Sequence, residues 1–100
     1  MILYINTKDQ KRITVSLKEN GKVIKSVSRE NKYGSQVLLL LIMKLLRTTN
    51  SELQTLKSIE VEIGPGSFTG LRVGVSVANA LGFSLGIPVN GKKNETKLIY

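Results

Sequence analysis

The run Ile63-Gly64-Pro65-Gly66-Ser67-Phe68-Thr69-Gly70-Leu71-Arg72-Val73-Gly74 constrains this chain more than any other stretch. Before it, Lys57–Ile63 alternates Ile59, Val61 and Ile63 with Glu60 and Glu62, the period of a strand. After it, apolar and small residues continue as a helix from about Phe68 to Gly82 or somewhat beyond. The chain must therefore pass from a sheet through a tight loop straight into a helix. Glycines permit backbone angles that a side chain forbids, and Pro65 fixes one of them. Ser67 is placed to cap the helix. A helix start leaves backbone N–H groups free for an anion or for a partner's acceptors. Gly64, Gly66, Ser67 and Thr69 are accordingly the candidate phosphate-contacting residues.

Three nucleotide or nucleophile motifs fail on this loop. A P-loop needs Lys then Ser or Thr after its last glycine, and Gly70 is followed by Leu71-Arg72. A dinucleotide fingerprint needs a sixth-position glycine where Thr69 stands, and an acidic residue further on where Val89–Lys93 has none. A nucleophile elbow needs glycine two residues either side of its serine, and Ser67 has Pro65 and Thr69. What remains is a surface. Gly70, Gly74, Ala78 and Gly82 recur at every fourth position, a small-residue stripe that admits a close neighbour. Arg72 stands in the first turn, where the helix dipole disfavours a cation, so a local acidic partner is expected.

The opening of the chain reads as three strands in a meander. Ile2–Asn6 is short and apolar, Arg12–Lys18 alternates Ile13, Val15 and Leu17, and Val23–Val27 follows the two-residue turn Asn20-Gly21. Ser28–Lys32 is a polar connection. From about Tyr33 to Arg47 the pattern becomes helical, with Ser35 the expected N-cap. Leu38, Leu41, Ile42 and Leu45 form one stripe, and Leu39, Met43 and Leu46 widen it sideways. One sheet face needs a stripe only about 100° wide, so this helix has a second surface to cover. Each Leu or Met buried contributes roughly 1.5–3 kcal/mol, and a small domain's whole stability is only about 5–15 kcal/mol. A helix-mediated protein interface follows. Thr48–Leu56 is a polar linker with room for a helical turn from Asn50 or Ser51, and Ile87–Val89 reads as a short strand held to an edge by Pro88. The tail Asn90–Tyr100 is basic and ends as a strand or stays unfolded.

Composition removes most enzyme mechanisms. The chain has no cysteine and no histidine, which excludes disulfides, zinc sites of those ligands, a thiol nucleophile and an imidazole base. No catalytic residue, metal site or cofactor is assigned. Met1–Ile5 is too short for a signal peptide and Val37–Met43 too short to span a bilayer, so a cytoplasmic protein without membrane contact is expected. A formal net charge of +8 suits either solubility or an anionic partner.

Three segments carry a family resemblance. Ile2-Leu3-Tyr4-Ile5-Asn6-Thr7, Ser35-Gln36-Val37-Leu38-Leu39 and above all Gly64–Gly74 resemble the TsaB (YeaZ) family of tRNA threonylcarbamoyladenosine biosynthesis, with Ile87-Pro88-Val89 fitting the strand after the signature. The resemblance implies an α/β fold, the N-terminal lobe of an actin/Hsp70-like (ribonuclease H-like) protein. Such a lobe has a mixed five-stranded sheet, its first three strands antiparallel, with two main helices on one face. Residues 1–90 would form it and 91–100 the tail, with the family's second lobe absent. Asn6 stands where the family usually has Asp, and Gly34 where it usually has His. The first departure argues against Mg²⁺–nucleotide chemistry.

The implied role is non-catalytic. The family binds and activates a TsaD-type catalytic subunit through the two helices, meeting tRNA only indirectly through the complex, and some members self-associate through the same surface. Leu39, Met43, Leu46, Gly70, Gly74 and Ala78 are the expected interface, with Arg72 its polar anchor. Two alternatives stand beside this: a homodimer with no activating role, and a nucleotide-binding hydrolase that uses Gly64–Gly70 as a cradle.

Overall fold

A computed structural model of the chain describes residues 1–9, 11–30 and 35–92. Alternation in the first two strands puts their apolar residues on one side. In β1 (Ile2–Asn6) Leu3 and Ile5 are wholly buried, and in β2 (Arg12–Glu19) Ile13, Val15 and Leu17 are. The antiparallel register sets Leu3 opposite Leu17 and Ile5 opposite Val15. Asn20 and Gly21 then turn the chain with φ of 53° and 78°, the paired positive angles of a tight hairpin. β3 (Lys22–Glu30) follows as an edge strand, with a bulge facing Leu17 and Lys18. It runs further than expected: Ser28–Glu30 pair with Arg12–Thr14 instead of forming a connection. An edge strand with exposed side chains needs no apolar residues to continue its backbone ladder.

α1 (Ser35–Thr48) buries Val37, Leu38, Leu41, Ile42, Leu45 and Leu46 and packs on β2 and β3. It opens at Ser35 itself; Tyr33 and Gly34 lie outside the described residues. Arg47 complements the dipole in its last turn, and Asn50, at φ 56°, ends it in the left-handed region. The turn expected in the linker forms slightly later, as a 3₁₀ turn at Leu53–Thr55, and Leu56 drops into the core. β4 (Ser58–Val61) pairs with β1 in parallel, Leu3 opposite Ile59 and Ile5 opposite Val61. α2 (Phe68–Leu85) packs on β4 and β1 and touches α1. Both helices thus cover one sheet face, and a single hydrophobic core joins them to it.

Among the described residues the sheet has four strands in the order β3-β2-β1-β4, not the five expected. Where the fifth was placed, Val89 makes only an isolated parallel bridge to Ile59. Asn90 and Gly91, at φ 50° and 78°, turn the chain back before the ladder can lengthen, and Val89 pairs instead with Lys92. The Asn90 side chain continues the edge in place of backbone. Its Oδ1 accepts from the Val61 N–H at 2.8 Å and its Nδ2 donates to the Val61 carbonyl at 2.9 Å. Residues 93–100, most of the basic tail, lie outside the described residues.

Removing that amide leaves two backbone groups of β4 without their partners. Asn90→Ala is expected to cost roughly 1–2 kcal/mol, read as a lower urea midpoint with unchanged slope. An unchanged midpoint would mean that water replaces the amide without loss.

Candidate functional site

The glycine loop is built against the continuation of β1. Gly64 has φ 119°, an angle that other residues rarely adopt, and the Gly64–Pro65 peptide is cis. Ser67 caps α2 as its sequence position suggests: its Oγ accepts from the Gly70 N–H at 3.4 Å, and its carbonyl accepts from the Leu71 N–H at 2.9 Å. Its own N–H donates to the Lys8 carbonyl at 2.8 Å. A Cβ on Gly66 would fall 2.7 Å from the Lys8 Cβ. One backbone donor that an anion would use is therefore committed within the chain, and Gly66 is needed for close contact with Lys8. Of the four candidate phosphate-contacting residues, Gly66 and Thr69 are exposed, while Gly64 and Ser67 are half-buried.

The small-residue stripe faces inward. Thr7 is fully buried and its Oγ1 donates to the Gly70 carbonyl at 2.6 Å. A Cβ on Gly70 would collide with the Thr7 carbonyl, and one on Gly74 with Thr7 Oγ1. One on Gly82 would lie 2.5 Å from Val89 Cγ2. Gly70, Gly74 and Ala78 are buried against the chain's own sheet, and Leu46 is buried beneath α1. These four expected interface residues are thus corrected to core positions. The close neighbour that the stripe admits is the end of β1.

Leu39 and Met43 are exposed, at 45% and 56%. Two further exposed apolar residues on the helices lie outside the expected interface, Leu40 at 59% on α1 and Phe83 at 75% on α2. The signal for Leu40 lay in its spacing: it precedes Met43 by three residues, on the turn opposite the buried face. Between the helices runs a groove of about 240 Å³ lined by Leu39, Ser76, Val77, Ala80, Leu81 and Ser84. Arg72, Ser76 and Phe83 follow one another at helical spacing along the exposed side of α2, so Arg72 lies at one end of this surface. Asn79 sits between them with its Oδ1 buried and without a partner among the described residues.

The other sheet face is polar. Tyr4 Oη donates to Glu62 Oε2 at 2.6 Å, Lys18 Nζ lies 4.5 Å from the Tyr4 ring centre and 3.1 Å from Glu60 Oε1, and Lys8 Nζ is 3.8 Å from Glu62. Asn6 Oδ1 accepts from the Lys8 N–H at 3.2 Å. Burial, then the hydrogen bond to Glu62 and its negative charge, push the Tyr4 phenol well above its ordinary value. No group of three or more potential metal-binding side chains occurs among the described residues.

Two expectations follow from this geometry. Gly74→Ala should cost roughly 1–3 kcal/mol through overpacking against Thr7. In a double-mutant cycle with Thr7→Ala the two costs should fall short of additive, because the second change removes the obstructing hydroxyl. Full additivity would refute the contact. The raised Tyr4 pKa stabilises the fold below the unfolded value of 10.0, and that contribution is lost as pH rises above it. Tyr4→Phe should lower stability by about 1 kcal/mol at neutral pH and flatten the decline between pH 10 and 11, as followed by thermal melts. An equal alkaline decline in both proteins would exclude Tyr4 as its source.

Comparison with known proteins agrees with this fold. The solved structure of YeaZ from Pseudomonas aeruginosa superposes with a TM-score of 0.78 at 30% identity, over 88% of this chain and 40% of its own. The tRNA threonylcarbamoyladenosine biosynthesis protein TsaB of Bacillus subtilis is 33% identical over 89% of this chain and 39% of its own length. The TsaB of Escherichia coli is 29% identical over 90% and 38%. The chain thus spans about two fifths of the length of these relatives. Residues 22–93 match the family model described as TsaD: tRNA N6-adenosine threonylcarbamoyltransferase. The chain belongs to that family and, within it, is TsaB- and YeaZ-like.

Proposed function

We propose that this chain takes part in tRNA N6-threonylcarbamoyladenosine formation as a non-catalytic scaffold or activator, binding a TsaD-type catalytic subunit through the outer surface of α1 and α2. The observation that carries the reading is the exposure of Leu39, Leu40 and Met43 on α1 and of Phe83 on α2, with Leu39 lining the interhelical groove. Covering these side chains removes from water an apolar surface whose transfer is worth several kcal/mol, at roughly 1.5–3 kcal/mol for each fully buried residue. Arg72, at the margin, is the polar anchor. The names of the relatives place TsaB in the same biosynthesis. The α/β arrangement fits an actin/Hsp70-like N-terminal lobe, and in this reading the chain meets tRNA within the complex.

The test is co-purification with a TsaD-type subunit. Met43→Glu and Phe83→Glu each place a charge in the centre of the proposed contact and should weaken binding at least tenfold, equivalent to about 1.4 kcal/mol. Ile24→Glu, at an exposed apolar position on β3, should leave binding unchanged. Wild-type binding by Phe83→Glu would rule the surface out. Light scattering on the chain alone separates the competing homodimer: a dimer dissolved by the same two variants, with no capture of the catalytic subunit, supports self-association.

A further inference from the structure

The basic residues of this chain are not evenly spread. On β3, Lys25 pairs with Leu17 and Arg29 with Ile13, which places both on the helix-covered side of the sheet, at its free edge. α1 packs on that strand. Leu39 marks the flank of α1 that faces α2. Lys44, five residues on, lies about 140° round the helix, on the flank toward β3. Arg47, three residues further on, lies about 80° from Leu39, on the outward face of α1 bordering that flank. Lys22 extends the strip at the start of β3, opposite Glu19. All five side chains are exposed, and among the described residues none is in an ion pair.

The carboxylates lie elsewhere. Glu60 and Glu62 are drawn to the opposite sheet face by Lys18, Lys8 and Tyr4. Glu19 lies 3.9 Å from the N-terminal ammonium, and Glu30 pairs across the ladder with Arg12 at the far end of β3. Among the described residues this flank thus carries five exposed cations, with Glu19 opposite Lys22 on the ladder. A strip of this kind attracts a polyanion with regularly spaced charge, and Lys and Arg on a surface meet phosphates with a linear dependence on salt.

We propose that the α1–β3 flank, through Lys22, Lys25, Arg29, Lys44 and Arg47, is a contact surface for the phosphate backbone of a folded RNA. It lies beside the proposed protein interface, so both could be occupied together. The choice of RNA over DNA rests on the proposed function; the contact with phosphate does not. The five named side chains are cations suited to phosphates, so the proposed contact is with the backbone and carries no sequence preference.

Fluorescence anisotropy of a labelled RNA stem-loop, titrated with the 100-residue chain at several KCl concentrations, tests this. Log affinity should fall linearly with log salt with a slope of about −3 to −4, as expected for four or five phosphates. The triple variant Lys25→Gln, Lys44→Gln, Arg47→Gln should lose at least tenfold in affinity and make the slope shallower by about 2–3, at roughly 0.7–0.9 for each lost phosphate contact. The triple variant Lys11→Gln, Lys57→Gln, Lys92→Gln removes the same charge elsewhere and should stay within about twofold of wild type, with circular dichroism confirming that both variants fold. Equal losses in the two variants would reduce the effect to net charge and overturn the surface. Tighter binding of duplex DNA would overturn the choice of RNA, and equal binding of a polyglutamate peptide would reassign the flank to acidic proteins. Loss of RNA binding with retained capture by the catalytic subunit, or the reverse, keeps this proposal separate from the interface proposal.

Discussion

The rest of the architecture depends on how closely α2 approaches the end of β1. Thr7 sits where a side chain on Gly70 or Gly74 would otherwise stand, and its hydroxyl donates to the Gly70 carbonyl. That contact lets the helix lie low over the parallel pair β1 and β4. It also holds the preceding loop against Lys8, through the Ser67 N–H and the bare α-carbon of Gly66. Glycine is unfavourable within a helix by about 1 kcal/mol relative to alanine. Its recurrence along α2 is explained by this close packing. The loop that resembles a phosphate cradle is thereby a structural joint, with part of its donor capacity used internally.

Seating α2 low leaves the helix pair with an outer surface that the described residues do not cover. α1 is apolar over too wide an arc for one sheet, so Leu39, Leu40 and Met43 emerge on the side away from the core, and Phe83 emerges from α2. Exposed apolar residues are common singly; several on one side of a helix are the feature on which the proposed interface rests. Beside it, the flank toward β3 is basic. The molecule therefore presents two chemically distinct neighbouring surfaces on its helical side.

Periodicity gave the elements and their order because both strand and helix patterns here are strong. Ile13, Val15 and Leu17 alternate without exception, and the wide apolar arc of α1 was visible as an excess of leucine. Two things were not legible. The length of β3 is set by pairing with β2, which one strand's residues do not encode, so Ser28–Glu30 read as a connection. The direction in which a small-residue stripe faces depends on what packs against it. Gly70, Gly74 and Ala78 read equally well as a docking surface, and only the position of Thr7 turns them inward. The missing fifth strand has a similar origin. Ile87–Val89 has the right residues, but Asn90 and Gly91 reverse the chain at once. The Asn-Gly pair was read as a turn near residue 20 and overlooked near residue 90.

The polar sheet face has a consequence for how such a molecule can grow. Tyr4, Lys18, Glu60 and Glu62 satisfy one another there, so a layer added on that side would strip water from a working set of charges and recover little apolar area. At the β4 edge, Asn90 has already taken the hydrogen bonds of Val61. Addition is thus discouraged on two sides by chemistry alone. The helical side differs in kind, because there the described residues leave large apolar side chains in water.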